Sequence, residues 1–112
     1  MEGNNLILES QVKQFLLETR IALAKQGGLV FIDREKNVRA MAELGLLLSD
    51  VPGFVHRLEV RDYVSGPTDD DKGRQEKWWV FSREICKRAM YIKIALLGGG
   101  FGVFRFIEQN SR

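Results

Sequence analysis

Apolar positions along the first half of the chain recur at helical spacing. Ser10 stands where a helix cap would, and Val12, Phe15, Leu16, Thr19 and Leu23 follow three or four residues apart until Gly27-Gly28 ends the run after Lys25. "GLVFI" (28–32) is a short run of strand formers, as in a buried strand. Asp33 can cap a second helix with Val38, Met41, Ala42 and Leu44 apolar and Gly45 at C′. Ser49 can cap a third, whose Val51, Phe54, Val55 and Leu58 form one stripe, with Pro52 tolerated in the first turn.

The pattern breaks at "RDYVSGPTDDDKGRQEK" (61–77), where Gly, Pro, Asp and Lys predict a long exposed loop. Beyond it the period falls to two. Strands are expected over Trp78 to Ile85, Ala89 to Leu97 and Gly102 to Glu108, joined by a tight turn near Cys86-Lys87-Arg88 and by Gly98-Gly99-Gly100. On the second strand Met90, Ile92, Ile94 and Leu96 face one way, and Tyr91, Lys93 and Ala95 the other. On the third, Phe104 and Phe106 oppose Val103, Arg105 and Ile107. Helices followed by an antiparallel meander predict an α+β fold, with N-terminal helices packed on one face of a mostly antiparallel sheet. One domain, 1–112, would comprise a helical part (8–60), the exposed loop (61–77) and a C-terminal sheet (78–109).

Composition narrows the reading. The 112 residues are 45% hydrophobic and 29% charged, which is a globular balance. No apolar run approaches the roughly 18 residues of a membrane span, and Met1 to Asn5 do not read as a secretory signal. The single cysteine, Cys86, offers no internal disulfide, which fits a cytoplasmic protein. Net charge is only +2, but residues 72–112 hold nine Lys or Arg against three Glu. Positive charge concentrated on a sheet suits RNA or an acidic protein partner, and equally suits a sheet that must stay soluble.

Several chemistries drop out. "GGGFGVF" (98–104) precedes a strand and reads as a hairpin turn rather than a phosphate loop. Asp69-Asp70-Asp71 reads as solvated loop, no His/Cys cluster suggests a metal, and no cofactor is expected. The lone His56 reads as a surface or interface residue, and Cys86 as a turn residue. Trp78 and Trp79 cannot both face one core, so one of them, taken as Trp78, should be outside and able to stack on a base. What remains is Tyr91, Lys93 and Arg105 on one face, with Arg83 expected near, and Lys77 and Arg88 as further RNA-binding candidates. RNA cleavage without metal requires deprotonating the 2′-hydroxyl, neutralising a phosphorane and protonating the leaving 5′-oxygen. Arg and Lys suit the second task. A phenol among cations gives up its proton more readily, so a tyrosine suits proton transfer.

The stretches "AELGL" (42–46), "DYVSGPTDD" (62–70), "KWWVFSREI" (77–85), "MYIKI" (90–94) and "VFRFIEQ" (103–109) resemble, in order and spacing, the MqsR-type toxins of bacterial type II toxin–antitoxin systems. The resemblance implies a RelE-like RNase fold, mRNA endonuclease activity without metal, and a cognate antitoxin. It places the family's strand tyrosine at Tyr91 and its lysine at Lys93. Ser65 and Ile107 stand where the family carries basic residues, and Trp78 where it carries a polar one. Arg105, two residues before Ile107 on the same strand face, would restore positive charge. Both a nuclease with a rearranged basic set and a non-catalytic basic, aromatic module for a protein or RNA partner fit these residues.

Overall fold

The computed structural model describes residues 2–25, 29–31, 34–69, 77–96 and 102–108. Three α-helices, α1 (Glu2–Leu23), α2 (Arg34–Glu43) and α3 (Val51–His56), accompany five strands: β1 (Leu29–Phe31), β2 (Tyr63–Asp69), β3 (Lys77–Ile85), β4 (Arg88–Leu96) and β5 (Gly102–Glu108). The strands form one sheet in the order β1-β5-β4-β3-β2, antiparallel except for the parallel β1–β5 pair. The fold is α+β, as the switch from a helical to a two-residue period predicts.

The helices meet the sheet on one face. Val12, Phe15 and Leu16 of α1, Met41 of α2, and Val51 and Val55 of α3 form a single core with Trp79, Phe81, Ile85, Met90, Ile92 and Ile94. At its centre Phe15 stacks on Trp79, ring centroids 4.5 Å apart and planes 11° from parallel. Such a pair adds about 0.5–1.5 kcal/mol to the area it buries. Thr19 lies in the same stripe, and it is accommodated because its hydroxyl donates to the Phe15 carbonyl at 2.8 Å.

Local chemistry shapes the helix ends. Gly45, at φ +75°, closes α2 as expected: its N–H bonds the Ala42 carbonyl and that of Leu46 bonds Met41. These two bonds make a Schellman motif. Ser49 does not cap α3. Asp50 precedes that helix, and its carboxylate accepts the Leu47 N–H at 2.9 Å. Nor does Ser10 cap α1, because no proline or internal glycine cluster stops the helix from starting at Glu2. Asp33 lies outside the described residues. On α2 the inward stripe is Asn37 and Met41, while Val38 and Ala42 are exposed.

The end of α3 is held from two directions. Arg20 of α1 donates to the carbonyls of His56 (Nε, 3.1 Å) and Leu58 (Nη2, 2.7 Å). Arg83 of β3 donates through Nη1 to the Arg57 carbonyl at 3.0 Å. Three successive carbonyls, those of the last helical residue, its C-cap and the residue beyond, thereby gain cationic partners.

The stretch 61–77 is not one exposed loop. Tyr63–Asp69 pairs antiparallel with β3, with register shifts between Tyr63 and Ser65 and between Ser65 and Thr68. Gly66-Pro67 is a cis peptide, and Gly66 takes φ +113° directly against β3. A Cβ there would lie 2.8 Å from Trp79 Cα, so only glycine fits. Residues 70–76 and the glycine run 98–100 lie outside the described residues.

Candidate functional site

The turn between β3 and β4 fixes what stands beside what. Ile85 pairs with Arg88, leaving two turn residues, Cys86 and Lys87, at φ +53° and +67°. Two consecutive positive φ values make a type I′ turn, whose twist matches the paired strands. The register that follows sets Ser82 across from Tyr91 and Val80 across from Lys93. On the other side of β4, Ile107 stands across from Tyr91 and Arg105 across from Lys93.

Burial along β4 separates its two faces. Met90, Ile92 and Ile94 are buried beneath the helices, while Tyr91 and Lys93 between them are half-buried. Tyr91 and Lys93 thus share the face the helices leave uncovered. The Cα atoms of Lys93 and Arg105 are directly paired, a separation of about 4.5–5.5 Å in an antiparallel ladder. The side chain of Arg105 lies outside the described residues.

Trp78 is not an exposed stacking platform. It is 7% exposed, and Trp79 on the opposite face is also buried. The two tryptophans occupy two different environments rather than one inside and one outside. Trp79 packs on Phe15. Trp78 lies beneath Lys93, whose Nζ is 5.7 Å from the centre of a ring of the indole. At that distance the ammonium meets the π-face of the indole. Ala95, on the same side of β4, is fully buried too, so this face is closed at its Trp78 end.

Three of the proposed RNA-binding residues belong to the other face. Arg83 pairs with Met90, not with Tyr91. Its guanidinium reaches Asp62 Oδ2 at 3.1 Å as well as the Arg57 carbonyl, so it ties β3 to the end of α3. Strand alternation sets Arg88, across from Ile85, and Lys77 with that same row. Lys77 lines a groove of about 390 Å³ with Phe15, Trp79 and Leu96 on the helix side. The structure therefore brings Tyr91, Lys93 and the backbone of Arg105 together, and it sets Lys77, Arg83 and Arg88 elsewhere. No family model matches the chain. No curated protein is significantly similar to it.

Two residues not singled out in the sequence join the uncovered face. Ser82 stands opposite Tyr91, and Glu84 lies one step further along the same side of β3. Glu84 is exposed, and it is the carboxylate that β3 and β4 carry. The signal for both was the two-residue turn, which sets the pairing of every residue on the hairpin. Among the described residues, no group of three His, Cys, Asp or Glu could hold a metal ion. His56 and Cys86 are both exposed.

Such a face offers a phenol, an ammonium, a carboxylate and a hydroxyl at neighbouring positions, with an arginine at the next strand. The ammonium keeps donors to spare, since a π-contact engages only one side of its three N–H groups. Phosphate binding by cations and proton transfer by the phenol or the carboxylate are both open to this set.

Proposed function

We propose that the chain is a metal-independent endoribonuclease of the toxin–antitoxin kind, with its site on the uncovered face around Tyr91, Lys93 and Arg105. The observation that carries the reading is the register of β4 and β5, which pairs Lys93 with Arg105 two residues from Tyr91. In the proposed reaction the 2′-oxygen attacks phosphorus and the bond to the 5′-oxygen breaks, leaving a 2′,3′-cyclic phosphate and a 5′-hydroxyl. Lys93 and Arg105 neutralise the charge on the phosphoryl oxygens as the phosphorane forms. Tyr91 takes part in proton transfer, with Glu84 as the adjacent carboxylate able to accept the 2′-proton. The RelE-like architecture, the mRNA substrate and a cognate antitoxin that restrains the enzyme belong to the same proposal.

The test is incubation of purified chain with end-labelled RNA in EDTA. Cleavage to fragments ending in cyclic phosphate is expected. Tyr91→Phe or Lys93→Met should slow it by about 10²-fold or more while the fold is kept. The second reading, a non-catalytic basic module, rests on the Lys93–Trp78 contact, which gives Lys93 a structural role of its own. Salt-sensitive binding with the RNA left intact would establish that reading and reject the nuclease.

A further inference from the structure

The uncovered face is closed at one end and open at the other. Trp78 is 7% exposed and Ala95 is fully buried, whereas Glu84 and Ala89, paired across β3 and β4 at the opposite end, are both exposed. Ala89 ends at its Cβ, so on this side β4 stays low between Tyr91 and the turn. Beyond it the turn carries Lys87, exposed and at φ +67°. Type I′ turns are ordinarily built from Asn and Gly, which take positive φ readily. A lysine there holds strain that the turn itself does not require, and strain of that kind collects at functional positions. Arg88, the first residue of β4, lies about 17 Å from Lys93 at the usual strand rise, so Lys87 is a few nucleotides of extended chain away from the Lys93–Arg105 pair.

The proposed reaction fixes a direction along this face. The 2′-oxygen belongs to the nucleotide on the 5′ side of the scissile phosphate, and the attacking and leaving oxygens lie roughly in line through phosphorus. With the phosphoryl group on Lys93 and Arg105, the acceptor of the 2′-proton, Glu84, stands toward the hairpin. The nucleotide on the 5′ side therefore lies toward the hairpin, and the leaving 5′-oxygen toward the closed Trp78 end. Resting on that nuclease reading, we propose that single-stranded RNA upstream of the cut runs over Ala89 to the β3–β4 turn, where Lys87 binds one of its phosphates. The RNA downstream of the cut lifts away from the sheet at Trp78. A strand passing Glu84 meets a like charge, and Lys87 supplies the cation beyond it that offsets the repulsion.

Steady-state kinetics around a mapped cleavage site test this. A short RNA is compared with the same RNA extended by several nucleotides on its 5′ side only or on its 3′ side only. The 5′ extension should lower KM without changing kcat, and the 3′ extension should change neither. Lys87→Gly removes the charge and relieves the turn, so a folding defect cannot imitate its effect. It should raise KM for the 5′-extended RNA by about two- to fivefold, the range of an exposed ion contact, and so abolish most of the gain from the extension. Lys87→Gln, which keeps the backbone strain, should do the same. A 5′ extension that brings no gain, a 3′ extension that brings as much, or Lys87 variants that cleave the 5′-extended RNA like wild type would overturn the path and leave the nuclease reading standing. Failure to cleave any RNA would overturn both.

Discussion

Lys93 holds its ammonium 5.7 Å from the centre of a ring of the Trp78 indole. The pair joins β4 to β3 diagonally across the face that the helices leave open. It gives one lysine two tasks, covering a tryptophan and presenting charge. Lys93→Met keeps the cover and removes the charge. Unfolding free energy should fall by about 0.5–1 kcal/mol, the value of a partly exposed cation–π contact. RNA binding should lose roughly one unit of its log–log salt slope. Urea titration and filter binding at several salt concentrations measure the two separately. An unchanged salt slope would remove Lys93 from the phosphate path.

Arg83 lies on the covered side, so its loss should be felt in stability and not in RNA handling. Arg83→Met leaves Asp62 and the Arg57 carbonyl without that donor. A destabilisation of about 1–3 kcal/mol is expected from denaturant midpoints. Specific activity and RNA affinity at saturating folding conditions should match wild type. A selective drop in RNA affinity would return Arg83 to the site.

The I′ turn is built from residues poorly suited to it. Lys87 sits at φ +67°, where glycine is unstrained. Lys87→Gly should raise the unfolding free energy by about 1 kcal/mol, since a left-handed L-residue costs about that much. A higher melting temperature is the expected readout, and a lower one would mean that the lysine itself makes a stabilising contact.

Burial pushes the Tyr63 phenol above its ordinary pKa of 10.0, and its hydroxyl donates to the Gly66 carbonyl. The folded chain therefore holds this proton more tightly than the unfolded chain. Its contribution to stability is complete below the unfolded pKa and is lost as pH rises through the higher folded value. Tyr63→Phe should be less stable near neutrality by about 1 kcal/mol, and the gap to wild type should narrow above about pH 10. Denaturation midpoints of both proteins from neutral to alkaline pH show the trend. A gap that stays constant would mean the phenol titrates alike in both states.

Much of the fold was legible because periodicity carries it. The alternation of β4 separated Tyr91 and Lys93 from Met90, Ile92 and Ile94, and the apolar stripe of α3 placed Val51, Val55 and Leu58 inside. β2 was not legible. Ser65, Gly66 and Pro67 are turn formers, and the strand exists because β3 offers an open edge, with register shifts absorbing the misfit. Trp78 was not legible as buried, because a sheet face without helices need not be an exposed one: Trp78 is 7% exposed, with the Lys93 ammonium over its ring. Arg83 was misread because its charge drew it toward the open face. Alternation with Phe81 and Ile85 puts it on the other, where Asp62 and the Arg57 carbonyl receive it. On α2, the exposed Val38 and the buried Asn37 reverse the hydropathy rule, so composition alone rotated that helix incorrectly.

The two-sided grip on the end of α3 bears on the order in which the molecule assembles. Its contacts span 36 and 38 residues back to Arg20 and 26 residues forward to Arg83. Arg20 can reach its carbonyls only once the first helix has docked, and Arg83 only once the third strand has. This corner should consolidate after the rate-limiting barrier, so that weakening it quickens unfolding and leaves the refolding rate almost unaltered.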